Sequence, residues 1–144
     1  MTDLVELEIV TAHRVLVRTQ ARDVYVPAAG GRAGILHHHL PYTALLGMGT
    51  VSYTDAAGKQ HALFLRGGLV ETLDNRVVIL TERVLTAAEL NAEELAREMN
   101  AVKETIKGAA RGETSPEELE KALETQRELA VKLEIAGSSR GSKH

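Results

Sequence analysis

The sequence predicts a mainly β domain, a sandwich or barrel of eight to ten antiparallel strands over residues 1–86, followed by an antiparallel two-helix hairpin over residues 87–136 and a flexible tail at 137–144. Three observations carry this reading. Up to Val84, apolar residues recur in short runs with a period of two. Those runs are joined by Gly, Pro, Asp and Asn clusters with no room for crossover helices. Beyond Val84, Ala, Glu, Leu, Lys and Arg dominate and the period lengthens to about 3.6 residues.

In order, residues 4–10 (L-V-E-L-E-I-V) alternate Leu4, Glu6 and Glu8 against Val5, Leu7 and Ile9, as a half-buried strand does. Residues 15–19 and 23–26 read as two short strands, the second closed by Pro27 and the A-A-G-G after it. Gly31 and Gly34 bracket a turn or bulge, and Pro41 biases Leu40 away from the α region, so no helix is expected across 38–40. Leu45, Leu46 and Met48 supply apolar anchors around Gly47. Residues 50–54 and 60–65 form a hairpin around Asp55-Ala56-Ala57-Gly58. Residues 69–73 and 76–81 form another around Asp74-Asn75, and V-V-I-L makes its second strand the clearest in the chain.

A boundary falls near residues 85–89. Asn91 reads as an N-cap, with Glu94 completing a capping-box-like pair. Leu95, Met99, Val102 and Ile106 form one apolar stripe. Gly108 and Gly112 weaken that helix end; Ser115 caps a second helix with Pro116 in its first turn and Glu117 and Glu118 at its positive end. The second stripe is Leu119, Ala122 or Leu123, Gln126, Leu129 or Ala130, and Leu133, so each helix is expected to run 17 to 22 residues. With so few large anchors, the hairpin is expected to be stable only when packed on another surface.

Composition removes several function classes. Among 144 residues aromatics are 3% and hydrophobics 44%, so the core must be aliphatic. With 17 Lys and Arg against 20 Asp and Glu, the net charge of −3 offers little attraction to nucleic acid. Cysteine is absent, which removes disulfides, thiolate metal sites and cysteine nucleophiles. The N-terminal decapeptide has no basic leader ahead of an apolar run, and no run approaches 18 apolar residues, so any membrane association is expected through another protein.

His37, His38 and His39 suggest a metal cluster, but on a strand successive side chains diverge, and His13 and His61 cannot be placed beside them from sequence. The glycine pairs at 30–31 and 67–68 lack a helix directly after them and read as turn residues rather than phosphate cradles. No hydrolase, P-loop or dinucleotide motif occurs. Glu6, Glu8, Glu71, Asp74 and Glu82 fall on expected solvent faces or turns, so no enzyme activity is expected. Lys103, Lys107 and Arg111 on the first helix and Lys121, Arg127 and Lys132 on the second are candidates for contact with an acidic partner.

The element order, with two residue blocks, resembles the epsilon subunit family of bacterial rotary proton-translocating ATP synthases. The first block is Gly31, Gly34, Ile35, His39 and Pro41, with Leu45 or Leu46 and Gly49 in place; the second is L-R-G-G-L-V-E, containing Gly67, Gly68 and Glu71, followed by N-R-V-V-I-L. The resemblance implies a non-catalytic central-stalk subunit. Its partners would be the gamma subunit, the c-subunit ring and, transiently through the hairpin, the alpha/beta head, where Lys103, Lys107, Arg111, Lys121 and Arg127 would make contact and restrain ATP hydrolysis. It would lie peripheral to the energy-converting membrane, on its cytoplasmic side.

The sequence departs from the family at two places. Pro-Gly is usual where His37 and His38 stand, so the shape or surface of that corner is open to change. ATP-binding members carry Ile-Asp-x-x-Arg-Ala where this chain has Leu90-Asn91-Ala92-Glu93-Glu94-Leu95. Asn91 loses the acid and Glu94 reverses the arginine's charge, which repels phosphate, so no nucleotide cofactor is expected.

Overall fold

The computed structural model describes residues 3–141, with side chains to Gly137. The chain divides into two compact units, Met1–Thr86 and Ala87–His144.

The first unit holds nine strands: β1 (Val5–Val10), β2 (Val15–Ala28), β3 (Gly31–Leu36), β4 (Tyr42–Leu46), β5 (Gly49–Asp55), β6 (Gln60–Leu65), β7 (Gly68–Leu73), β8 (Arg76–Leu80) and β9 (Val84–Thr86). The sheet is organised by β2. Its Ala21 is paired with both Val5 of β1 and Asp55 of β5, and its Ala28 with both Gly31 of β3 and Leu46 of β4. One edge of β2 therefore takes β1 then β3, and the other takes β5 then β4. From β4 the sheet runs through β7 and β8 back to β1, closing a ring; from β5 it continues to β6 and β9.

Three expectations are corrected here. Residues 15–19 and 23–26 belong to one 14-residue strand, because Pro27 sits where its missing N–H costs nothing while its carbonyl still accepts from the Gly47 N–H at 2.8 Å. The irregularity the sequence showed as a break is a register shift between Ala21 and Asp23 against β5, which leaves Arg22 outside the ladder. The sheet is also not wholly antiparallel. β1 and β8 run parallel, with Leu7 opposite Val77 and Ile9 opposite Ile79. The six strands between them serve as the long connection that parallel neighbours require. Strands β3, β4 and β9 form where none was expected, β3 in place of the turn or bulge at 31–34.

The core is aliphatic. Leu7, Ile9, Val24, Val26, Ile35, Val51, Leu65, Val70, Val77 and Ile79 are fully enclosed, each contributing roughly 1.5 to 3 kcal/mol by burial. Gly34 is not a turn residue: it lies mid-strand beneath the Tyr25 ring, where a Cβ would come within 2.7 Å of Tyr25 Cε1. The hairpin turn precedes β3, at Ala29 and Gly30.

The second unit holds a short 3-10 turn at Ala87–Glu89, then α1 (Ala92–Ala110) and α2 (Pro116–Gly141). Asn91 caps α1, its side chain accepting from the backbone N–H of Glu93 and Glu94. The Ser115 hydroxyl likewise accepts from Glu118 N–H at 3.2 Å. Between the helices, Thr114 Oγ1 donates to Thr105 O at 2.8 Å in the space beside Gly108. Leu95 and Leu129 pack with Ala136, flanked by Leu90, Met99, Val102 and Leu133. At the alternative positions, Ala122 and Leu129 face inward while Leu123 and Ala130 are exposed. α2 runs 26 residues, longer than the 17 to 22 expected, and residues 137–141 of the expected tail fall within it. Residues 142–144 lie outside the described residues.

Candidate interaction surface

The side chains of interest lie on the outward side of the sheet β4–β7–β8–β1–β2, where the register sorts them into rows. Leu45 of β4 lies opposite Leu69, Leu69 opposite Leu80, Leu80 opposite Val10, and Val10 opposite Val15. This row is apolar across five strands, yet Leu45 is 69% exposed, Leu80 47% and Val15 42%. The next row is Thr43, Glu71, Val78, Glu8 and Arg18. The third holds Leu73, Arg76, Glu6 and Gln20, with Leu73 51% exposed. Arg76 reaches Glu8 at 3.3 Å and Glu6 at 3.7 Å, and Arg18 reaches Glu8 at 3.7 Å. Glu8 is thus largely covered by two guanidinium groups instead of lying open to solvent as expected. With Arg18, Arg76 and Glu6 more than half exposed these pairs add little stability, so their main effect is to hold a polar band beside the apolar row.

At one end of this face the β3–β4 connection forms a corner. His39 N–H donates to Leu36 O at 3.1 Å, closing a tight turn with His37 and His38 at its centre. His38 takes φ 62°, the left-handed conformation that glycine adopts freely and that costs a residue with a Cβ roughly 1 to 2 kcal/mol. His38 thus stands at a turn position that glycine fills most easily, and places an imidazole on the surface there. The expectation that three strand-borne histidines diverge is corrected in part, because a turn brings the His37 and His38 rings to 3.6 Å between centroids. His37 Nδ1 lies 3.8 Å from Asp3, and His39 Nδ1 donates to Leu40 O at 2.7 Å. Among the described residues, no three potential ligands converge on a metal position. Leu36 and Leu40 flank the turn at 52% and 78% exposure.

The remaining signature residues are spread through the β unit. Ile35 is in the core, and Gly49 lies against Pro27, where a Cβ would come within 2.7 Å of the proline ring. Gly68 opens β7 at φ 150°, and a Cβ there would collide with Leu80 O; Thr81 Oγ1 donates to Gly67 O at 2.6 Å. Gly31 opens β3, Pro41 ends the corner and Glu71 is exposed in the middle row. Lys103, Lys107, Arg111, Lys121 and Arg127 are exposed, whereas Lys132, also a candidate, is largely covered and paired with Glu128 at 2.9 Å; Lys103, Lys107 and Arg111 share one stripe at four-residue spacing. Lys107 lies 3.6 Å from Glu104 and Arg111 3.4 Å from Glu113, so the stripe is mixed in charge. Lys121 and Arg127 stand on α2.

Away from this face, the β5–β6 hairpin carries a polar knot. The Asp55 carboxylate accepts from His61 Nε2 at 2.9 Å, Lys59 N–H at 2.9 Å and Ala57 N–H at 3.0 Å. The His61 bond, then those backbone donors, hold Asp55 below the usual carboxylate range. Tyr53 stacks on His61 at 4.6 Å; burial first, then the Asp55 charge, pushes its phenol upward.

Sequence reasoning missed the apolar row. The one available signal was Leu45-Leu46, since adjacent strand residues point to opposite faces and only one of the two can enter the core.

The profile of the ATP synthase delta/epsilon chain β-sandwich domain matches residues 4–87. The chain belongs to this family. The ATP synthase epsilon chain of Solibacter usitatus is 41% identical to it over 91 residues, 63% of this chain and 67% of that one. That of Dichelobacter nodosus is 31% identical over 124 residues, 86% of each. Among solved structures, a chain of the Euglena gracilis mitochondrial ATP synthase, in a structure of its OSCP, F1 and c-ring, shares the fold with a TM-score of 0.68 at 18% identity, covering all of this chain and 84% of that one. As an epsilon chain, the protein is a non-catalytic member of the central stalk, with a coupling and regulatory role instead of chemistry of its own. Among the described residues no helix is long and apolar enough to cross a membrane.

Proposed function

We propose that the epsilon chain grips the rotor of a proton-translocating ATP synthase, the gamma subunit seated on its c ring, through the outward face of β4–β7–β8–β1–β2 and the corner at 37–41. The observation that carries this is the apolar row Leu45, Leu69, Leu80, Val10 and Val15, with Leu45, Leu80 and Val15 exposed and Leu69 and Val10 half-buried, on a unit whose core is already filled. Large apolar side chains aligned across five strands and bordered by a charged band have the make-up of a docking patch with a polar rim. Seated there, the chain lies peripheral to the energy-converting membrane on its cytoplasmic side.

The helical unit is the regulatory element. Its small core makes it the less self-sufficient part of the chain, and Lys103, Lys107, Arg111, Lys121 and Arg127 suit transient contact with acidic surfaces of the alpha/beta head. Nucleotide plays no part in this reading. Asn91 uses its side chain to cap α1, and Glu94 presents a negative charge where a phosphate partner would be needed.

The test is to substitute Leu45→Asp and Leu80→Asp together, both outside the core, and titrate the folded full-length chain against the gamma–c-ring complex. Binding is expected to fall by at least about tenfold. Unchanged affinity overturns the assignment of this face.

A further inference from the structure

The corner at 37–41 has little to fix it from within. Its turn is closed by one backbone bond, it carries the strained His38, and its apolar side chains point into solvent. What ties it down comes from elsewhere in the chain. Asn75, in the β7–β8 turn, accepts the His38 N–H on its Oδ1 at 3.1 Å and donates from its Nδ2 to Leu4 O at 2.7 Å. Its backbone carbonyl accepts the Glu6 N–H at 3.1 Å. One side chain thus connects three segments far apart in sequence: the approach to β1, the β7–β8 turn and the middle of the corner. The amide uses both an acceptor and a donor for this, a combination that a carboxylate or an apolar side chain of the same size cannot reproduce.

Asn75 also satisfies the backbone demand of its own position. With Asp74 at φ 51° and Asn75 at φ 61°, the two-residue turn has both central residues in the left-handed region, as a tight β-hairpin requires. Glycine would meet that demand equally well, so the turn alone does not account for an asparagine. The two side-chain bonds do.

We propose that Asn75 is a positioning residue for docking: it holds the His37–His38 turn, and with it Leu36 and Leu40, in the shape that meets the rotor. This rests on the docking assignment above. A loop fixed before contact does not lose its freedom on binding, so removing the clamp should lower affinity without removing any contacting side chain.

The experiment compares the full-length wild type with Asn75→Gly, Asn75→Asp and Leu40→Asp, titrating each against the gamma–c-ring complex and following amide hydrogen exchange at His38. Asn75→Gly keeps the turn geometry and removes the clamp; it is expected to bind about tenfold more weakly, with faster exchange at His38 and an unchanged far-UV circular dichroism spectrum. Asn75→Asp still accepts from His38 and is expected to bind closer to wild type than the glycine variant does. Asn75→Gly binding as wild type does, or Asn75→Asp binding no better than Asn75→Gly, overturns the proposal. Leu40→Asp separates the two claims. If it leaves binding unchanged the corner is not a docking element, whereas a loss there without one in Asn75→Gly removes only the positioning role.

Discussion

At the scale of single residues, the molecule shows which side chains are set by their backbone and which by their partners. His38 has the backbone of a glycine and the side chain of a surface residue. His38→Gly should raise stability by about 1 kcal/mol, read as a higher urea midpoint, because glycine meets no steric penalty at that φ. Asp55 is set by its partners. Its folded carboxyl titrates below its unfolded value, so the stabilisation it contributes is complete above about pH 4 and is lost as pH falls through the folded value. The stability gap between wild type and Asp55→Asn should therefore be full above about pH 4 and narrow as the pH falls below it, in urea titrations at each pH. The sequence showed the D-A-A-G turn but not its chemistry, since His61 meets Asp55 only once the hairpin is in register.

At the scale of elements, β7 is the strand most constrained by its neighbours. Gly68 at its start has no room for a Cβ against Leu80 O, and its φ of 150° is a region that essentially only glycine occupies. Gly68→Ala should cost about 2 kcal/mol or more in thermal unfolding. Further along, Thr72 is 2% exposed with an Oγ1 that has no hydrogen-bond partner. Thr72→Val should stabilise by about 1 kcal/mol, since it removes an unsatisfied hydroxyl while keeping the shape. Helix boundaries were legible where caps mark them, at Asn91 and Ser115. The end of α2 was not, because glycine and serine at 137–139 read as a stop and the helix runs to Gly141. β2 was misread for the same kind of reason: Pro27 interrupts a strand only where its N–H is needed by a neighbour.

At the scale of the whole molecule, the two units divide the labour of an epsilon chain between an aliphatic β domain with an apolar outer face and a helical unit with a small core. Deleting residues 88–144 should raise ATP hydrolysis by the assembled enzyme while proton-coupled synthesis persists; hydrolysis left unchanged would argue against restraint by the hairpin. The sequence by itself determined the two-unit plan, the strand-to-helix change near Val84, the aliphatic core and the family, because these follow from local periodicity, turn chemistry and short residue blocks. Only the tertiary structure decided which leucines remain outside, that β1 runs parallel to β8, and that Asn75 reaches both Leu4 and His38. Each of these depends on register between segments tens of residues apart, and register is settled by the closing of the sheet, which no local stretch of sequence encodes.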